Sequence, residues 1–483
     1  MHARMYSSKM AVYAARRFLN SASVLGTALA SGINDNGTEK ATFLTPRRTR
    51  RRLRACHECD LLVALPPLQP GQRASCPRCD HTLSHRHFRP AERSLAFAIS
   101  ALIALVAALC FPFISFEARG VSNAIQLTDT SASLVSLHEP FVGILVLLTI
   151  VVLPAFYLLA VIWLHLGLLQ RRPLPRSHRI ARALSHLGPW MMADVFVIGT
   201  LVSLIKIAGM ASIDLGLSFW SFCVYALLLL LTARSIDTDW MWFSLAGEPL
   251  APEGCRPGQS AAEQDLTGCP TCGLVTRLSH FGRGRCARCG EPLRFRSPHS
   301  LQKTWALLIA ATLCYIPANL YPIMTTTSLG DSTPSTIIGG VLIFLGHGDW
   351  PIALIIFTAS VVVPIGKVFA LAWLCVTVRR SGESRFKHKR QTLYRITELI
   401  GRWSMIDVFV VAILVSLVHA GSLLSITPGP AALAFSAVVV LTMLAAISFD
   451  PRLIWDARNM QPPMPAALKR QSPYSPVKEV DDA

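Results

Sequence analysis

The chain has 483 residues, of which 52% are hydrophobic and only 15% charged, with a formal net charge of +18. Its mean hydropathy of +0.45 excludes an ordinary soluble globular protein, although the length would otherwise hold two to four soluble domains. The positive charge is clustered beside apolar stretches, the pattern of a membrane protein with basic loops.

Residues 1–50 are polar and arginine-bearing without a sustained apolar period, and they are expected to form a disordered extension. Ser, Arg and Asn interrupt the apolar patch within Met1–Ala30 too often for a signal peptide. Residues 51–90 then carry Cys56-x2-Cys59 and, sixteen residues on, Cys76-x2-Cys79. Residues 265–297 carry Cys269-x2-Cys272 and, thirteen residues on, Cys286-x2-Cys289. Two knuckles of this kind turn four thiolates toward one point, the donor set of a tetrahedral structural zinc ribbon. Each cluster is therefore expected to hold one structural Zn²⁺. The remaining cysteines, Cys110, Cys223, Cys255, Cys314 and Cys375, are scattered, four of them in apolar runs where a thiol acts as a small hydrophobe. Metal-type thiols point to a reducing compartment, the cytosol.

Each cluster is followed by four apolar runs of membrane-crossing length. In the first half, expected transmembrane domain 91–240, they are Leu95–Ile114, Pro140–Leu169, Leu187–Ile205 and Leu215–Thr232. Residues 241–264 read as a linker. In the second half, 298–456, they are Trp305–Met324, Trp350–Val378, Trp403–Leu424 and Pro430–Phe449. Residues 457–483 read as a disordered tail. Arg171, Arg172, Arg176, Arg179 and Arg182 lie between the second and third runs. Arg379, Arg380, Arg385, Lys387, Lys389, Arg390, Arg395 and Arg402 lie between the sixth and seventh. The opposite loops carry Asp129, Asp214, Asp331 and Asp349 with Arg119 as their base. The positive-inside rule then places both termini, both clusters and both basic loops in the cytoplasm. The basic stretches read as topogenic and headgroup-attracting segments. Without interleaved aromatics they do not suggest a nucleic-acid partner.

An offset of about 210 residues superimposes the halves. Phe111-Pro112 matches Tyr321-Pro322, Pro154 matches Pro364, Trp163 matches Trp373, and Trp190-Met-Met-Ala-Asp194-Val-Phe-Val resembles Trp403-Ser-Met-Ile-Asp407-Val-Phe-Val. Asp237 pairs with Asp450 in the same way. The expected fold is thus an all-α polytopic membrane protein. It is a tandem repeat of two four-helix transmembrane domains, each preceded by a small cytoplasmic four-cysteine zinc ribbon, with the repeats running parallel.

Polar groups within the runs are the candidates for function, because an ionised side chain at that depth is costly unless paired or hydrated. Lys367 lies three residues after Pro364 near the middle of the sixth run, where Tyr157 stands in the first half. It reads as a functional cation or as a member of a structural ion pair. Asp194 and Asp407 read as acids favoured by a helix N-terminus, as a charge partner for Lys367, or as proton carriers. Lys206 is a snorkelling anchor or a relay member. His419 titrates near neutral pH and is a relay candidate or a structural residue, and His138 and His347 at the outer mouths are weaker ones. Pro317-Ala-Asn319-Leu-Tyr321-Pro322 is expected to break the fifth run, leaving irregular backbone that must face protein or a wet cavity. That makes Pro317, Asn319 and Pro322 candidates for a substrate-facing surface. No catalytic constellation appears, and a closed four-thiolate site leaves no position for an activated water. The chain is not expected to be an enzyme.

The segments Cys76-Pro-Arg-Cys79-Asp, Cys286-Ala-Arg-Cys289-Gly-Glu-Pro-Leu, Ser300-Leu-Gln-Lys-Thr304-Trp305-Ala, Ile316-Pro-Ala-Asn-Leu-Tyr-Pro322-Ile-Met and Gly401-Arg-Trp-Ser-Met-Ile-Asp407-Val-Phe carry a resemblance. Over roughly residues 50–456 the chain resembles the paraquat-inducible protein A family, which includes the A component of the lipophilic envelope-spanning tunnel system. The resemblance implies a protein of the Gram-negative inner membrane that works with a periplasmic MCE-domain partner. The implied task is moving phospholipid or other hydrophobic molecules between the membrane and that tunnel. It also maps the family's polar intramembrane residues onto Asp194, Lys367 and Asp407. A lipid-transfer component, with proton coupling as an added expectation, is the leading reading. A non-transporting scaffold that anchors the MCE partner is the alternative, and a redox sensor built on the thiolates is a third.

Overall fold

The computed structural model describes residues 52–456 except 119–120, 137–139, 171, 173, 208–211, 248–250, 279–281, 329–330, 347, 349, 379–383 and 418–423. The expected N-terminal extension and C-terminal tail therefore lie outside the described residues. The first cluster is built from two hairpins. Strand β1 (Arg52–Ala55) pairs with β2 (Leu62–Leu65), and β3 (Arg73–Ser75) with β4 (Thr82–His85). Each hairpin tip is a Cys-x2-Cys knuckle, closed by amide bonds such as Cys56 N to Leu61 O (3.0 Å) and Asp60 N to Cys56 O (2.9 Å). Such a tip needs one left-handed residue after its second cysteine. Asp60 (φ 59°) and Asp80 (φ 57°) supply it, and Gly273 (φ 70°) and Gly290 (φ 73°) do so in the second cluster.

The first half follows. Helix α1 (Pro90–Cys110) leads to strands β5 (Ile114–Ala118) and β6 (Val121–Ile125), then α2 (Asp129–Ser136) and α3 (Pro140–Leu147). A π turn at Leu148–Val152 joins α3 to α4 (Leu153–Leu169), and α5 (Ser177–Leu187), α6 (Ala193–Ile207), β7 (Ser212–Leu215), α7 (Leu217–Ser235) and α8 (Thr238–Ala246) complete it. Along α1 the buried residues Ser94, Ala98, Ala101, Leu105 and Ala108 recur every three or four positions. The small side chains let its backbone approach α7 closely, the membrane mode of helix packing.

The second cluster repeats the hairpin pair as β8 (Leu266–Gly268) with β9 (Val275–Arg277) and β10 (Arg283–Arg285) with β11 (Pro292–Arg294). The second half is α9 (Ser300–Leu320), β12 (Met324–Ser328), β13 (Asp331–Ser335), α10 (Ile337–Gly346), α11 (Trp350–Phe357), a π turn at Thr358–Val362, α12 (Val363–Thr377), α13 (Ser384–Trp403), α14 (Ile406–Leu417), β14 (Leu424–Pro428) and α15 (Pro430–Ser448). The element order of the first half recurs as far as the last long helix, and a 3-10 turn at Pro451–Ile454 stands in the place of α8. Both π turns sit just ahead of a proline, Pro154 or Pro364. Proline lacks an amide and its ring presses on the carbonyl four residues back, and a widened turn relieves that pressure.

Three expectations are corrected. The protein is mostly helical but not all-α, since the far ends of the helices carry two three-stranded antiparallel sheets, ordered β6-β5-β7 and β13-β12-β14. The ends of three expected spans, Ile114, Met324 and Leu424, are the first residues of β5, β12 and β14. Among the described residues seven helices, not eight, are long and apolar enough to cross a membrane. The missing one is α9, whose 21 residues match α1 in length, but Gln302, Lys303 and Asn319 dilute it. The proline of that helix does not break it: α9 runs through Pro317 to Leu320.

Glycine closes each sheet onto its first helix. Gly216 and Gly429 precede α7 and α15, and a Cβ there would lie 2.0 Å from the Pro112 oxygen or 2.1 Å from the Pro322 oxygen. The halves meet along α6 and α14, where the corresponding residues Phe196 and Phe409 stack edge to face at 5.5 Å. Ser203 Oγ donates to Gly199 O in its own helix (2.9 Å) and to Val410 O across the seam (3.4 Å). The clusters also pack together, with Leu53, Ala55 and Leu62 of the first sharing a core with Ala261, Leu266 and Val275.

Candidate functional site

The eight knuckle cysteines form two buried groups, Cys56, Cys59, Cys76 and Cys79, and Cys269, Cys272, Cys286 and Cys289, with the four sulfurs of each lying within 4.8 Å of one another. Sulfur pairs are separated by 3.5 Å in the first (Cys56 to Cys79, Cys59 to Cys76) and by 3.4 Å in the second (Cys269 to Cys289, Cys272 to Cys286). Four convergent, buried sulfurs without a water-facing position fit one tetrahedral metal ion each.

Charged residues around these centres come from distant segments. Arg395 of α13 grips Glu58, Nε lying 3.1 and 3.0 Å from its two carboxylate oxygens, and donates from Nη2 to the carbonyl of Cys79 at 2.6 Å. His81 approaches the same carboxylate at 3.1 Å. Burial pushes the Glu58 carboxyl up, but the bonds from His81 and Arg395 outweigh it and hold the group at about 2. At the second centre Arg182 of α5 donates to the carbonyl of Cys289 and pairs with Glu291 at 3.2 Å. Elsewhere Arg54 reaches Asp239 at 3.2 Å, and Arg296 reaches Asp60 at 3.1 Å and Asp456. Several arginines that the sequence presents as topogenic charge are thus structural ties.

Between the helices of the second half, Lys367 is 3% exposed. Its Nζ donates to Thr442 Oγ1 at 2.9 Å and to Ser404 Oγ at 3.4 Å. Among the described residues no carboxylate lies within ion-pair distance of it, so the pairing with Asp407 expected from the sequence is not the one made. Asp407 stands in the first turn of α14 and accepts from Ser360 Oγ at 2.6 Å. Ser360 is the residue four before Pro364, at the widened turn. Lys367, Ser404 and Thr442 therefore form one polar cluster and Ser360 with Asp407 another, two helical turns apart along α12 and its π turn. Ser404, Thr442 and Ser360 escape a reading of the sequence, because hydroxyls in apolar helices usually bond back to their own backbone. Ser360 alone has a signal, its spacing from Pro364.

The other candidates are dispersed. Asp194 is half-buried in the first turn of α6. Lys206 falls in the last turn of α6, with its side chain outside the described residues, as are His138, His347 and His419. Asn319 Nδ2 donates back to Tyr315 O at 2.9 Å, and the carbonyl of Pro322 abuts Gly429. Pro317, Asn319 and Pro322 thus cap the far end of α9 and do not touch the Lys367 cluster.

Apolar helices of spanning length and two four-cysteine groups at one end of them define a polytopic membrane protein with paired four-cysteine ribbons. The chain belongs to the paraquat-inducible protein A family, whose pattern matches it twice, over residues 91–246 and 301–459. It is 40% identical over 403 residues to the intermembrane transport protein PqiA of Escherichia coli strain K12, covering 83% of this chain and 95% of the relative. It is 30% identical over 406 residues to a probable intermembrane transport protein of Haemophilus influenzae, covering 83% and 95%. It is also 30% identical over 404 residues to the lipophilic envelope-spanning tunnel protein A of E. coli K12, covering 84% and 91%. No solved structure matches the chain.

Proposed function

We propose that this protein is the inner-membrane component of an envelope lipid-transport system, exchanging lipids or similar hydrophobic molecules between the membrane and a periplasmic partner of MCE domains. The seven helices of spanning length, together with the more polar α9, make two four-span membrane domains, with both ribbons and the basic helices α5 and α13 on the cytoplasmic side and zinc in both ribbons. The relatives' names, intermembrane transport and lipophilic tunnel, support the class of activity. The protein carries no chemistry on its cargo and acts as a carrier, not an enzyme.

The observation that carries the reading is the Lys367 cluster. A buried ammonium without a carboxylate costs several kcal/mol, and intramembrane ionisable groups mark pathways by default. Ser404 and Thr442 accept from the ammonium; once the amine is neutral, one hydroxyl turns to donate to its single lone pair while the other still accepts from an N–H, so the cluster keeps its bonds in either protonation state. Proton exchange at Lys367 thereby shifts the packing of α12 against α14 and α15 without dismantling it, and Asp407 with Ser360 supplies the next proton-bearing group along α12. The test is lipid transfer from proteoliposomes to the purified partner. Lys367→Ala lowers transfer at least tenfold with partner binding intact. Wild-type transfer by that variant would end this reading and leave a scaffold that only anchors the partner.

A further inference from the structure

We infer that Arg182 and Arg395 are outer-sphere residues of the two four-thiolate centres, supplied crosswise. The second half's basic helix holds the first ribbon's centre, and the first half's basic helix holds the second's. The inference is independent of lipid transport and requires only that the cysteine groups bind a metal ion.

The two contacts correspond. Arg182 on α5 and Arg395 on α13 occupy equivalent positions of the repeat, and each donates to the backbone carbonyl of the last cysteine of a ribbon, Cys289 or Cys79. Each also meets a ribbon carboxylate, Glu291 at 3.2 Å or Glu58 at 3.0 Å. The carboxylates are not at equivalent positions. Glu291 follows the last knuckle directly, where the first ribbon has His81. Glu58 lies in the first knuckle and bridges back to His81 at 3.1 Å. Different sequence solutions thus deliver a carboxylate to the same arginine position. Gly290 makes room at the second centre, since a Cβ there would stand 2.8 Å from the Arg182 guanidinium.

Neighbouring packing runs the same way. Cys269, Cys272, Cys286 and Cys289 share one apolar core with first-half residues such as Leu184 and Trp242. Around the first centre the ring of Trp455, from the end of the second half, packs on the knuckles. Arg78 lies over that ring at 5.6 Å and bonds the Cys59 carbonyl at 3.4 Å. The strand ends of each ribbon touch their own half, as Arg54 with Asp239 and Arg296 with Asp456 show. The knuckles touch the other.

Four thiolates on a divalent ion leave two net negative charges. A guanidinium fixed on the last cysteine's carbonyl offsets part of that charge and holds the knuckle closed, and such outer contacts typically tune metal affinity 10–100-fold. Occupancy of the first ribbon therefore stiffens α13, and occupancy of the second stiffens α5.

The experiment uses the full chain in detergent, loaded with zinc, and follows release to a chromogenic chelator. Arg395→Ala and Arg182→Ala keep all eight thiolates, and each should speed release of one zinc equivalent about tenfold or more while leaving the other unchanged. In parallel, trypsin reads the basic helices. Cys79→Ser should open cleavage within 384–403 while 177–187 stays protected, and Cys289→Ser should do the reverse. Release at the wild-type rate in both arginine variants overturns the inference, as does cleavage that opens the helix of the same half or both helices alike. Should a cysteine variant not fold, the arginine variants carry the test alone.

Discussion

Where the second span of each half passes the third and fourth, corresponding positions hold different side chains. The first half has Tyr157, Met191 and Leu229, all buried in one apolar core. The second has Lys367, Ser404 and Thr442, joined by hydrogen bonds. The contrast extends along the helices. The carbonyl of Ile150, four residues before Pro154, takes the hydroxyl of Tyr225 at 3.2 Å. The matching Ser360 instead gives its own hydroxyl to Asp407 at 2.6 Å. Phe113, Phe219, Phe222 and Tyr225 pack ring on ring in the first half, and three of their four counterparts are aliphatic: Ile323, Ala432 and Val438. One backbone plan has been filled with aromatic rings in one copy and with hydroxyls and an amine in the other, while the acid at the start of the third span, Asp194 or Asp407, is common to both. Since the first copy has Tyr157, Met191, Leu229 and Ile150 in their places, Lys367, Ser404, Thr442 and Ser360 are not a requirement of the shared backbone plan.

That comparison breaks most sharply at Lys367. Lys367→Met removes a buried cation and leaves two hydroxyls, that of Thr442 already bonded back to Val439 O at 3.0 Å and that of Ser404 in the turn between α13 and α14. It is expected to abolish lipid transfer yet raise stability by about 1–3 kcal/mol, seen as a higher Tm in detergent. Tyr157→Phe, the first-half control, should leave transfer unchanged. Equal losses of transfer from both variants would make the halves equivalent in function. The glycine closures sharpen the other side, because they are shared scaffold. Gly216→Ala and Gly429→Ala each drive a methyl into a proline carbonyl, at 2.0 and 2.1 Å, and each should cost about 2–3 kcal/mol. Similar Tm losses are expected, and a tolerated substitution in one half would show that half's sheet to be loosely held.

A smaller effect separates the corresponding acids that close each half. Asp237 caps α8 through Trp240 N at 2.8 Å. Asp450 receives Arg452 Nη2 at 2.8 Å and Ser297 N at 3.0 Å. Burial pushes the Asp450 carboxyl up, but the Arg452 bonds outweigh it and hold the group below its ordinary value. A carboxylate held low in the folded protein contributes its full stability above the unfolded-state value of about 4 and loses it as pH falls through the lowered folded value. Asp450→Asn should therefore cost about 2 kcal/mol at neutral pH and progressively less below pH about 4. Tm curves of variant and wild type that run parallel through that window would remove Asp450 from the acid response.

Much of this was written in local patterns. Cysteine spacing gave both thiolate groups because knuckle ligands are neighbours in sequence, and apolar runs gave the helices because a span is a local object. Lys367 stood out because charge is rare in such runs. What stayed hidden depends on tertiary proximity. Arg395 meets Glu58 across 337 positions of chain, and nothing in either segment announces it. The sheets at the far ends were missed because strands of five residues such as Met324–Ser328 are too short to establish alternation. Gly216 and Gly429 had a signal, since both recur at the repeat offset just before the fourth span. Their partners, Pro112 and Pro322, match at the repeat offset too, but glycine's role there is a close approach between segments far apart in the chain, which no local pattern announces.

The smallest expected effect concerns the seam where the copies meet. Phe196 and Phe409 are corresponding residues, so in the edge-to-face pair at 5.5 Å a side chain of one half meets its own counterpart in the other. Edge-to-face rings contribute about 0.5–1.5 kcal/mol beyond the area they bury. In a double-mutant cycle Phe196→Leu and Phe409→Leu should each destabilise, and the two together by less than their sum, the shortfall being a coupling of about 1 kcal/mol. Gly199, whose Cβ would stand 3.1 Å from that of Phe409, is on the same seam and gives the steric counterpart, since Gly199→Ala should push α14 away without touching either ring. If the ring variants prove additive while Gly199→Ala still weakens the protein, the seam is held by close backbone approach, and the aromatic pair merely fills the space between two helices that would meet without it.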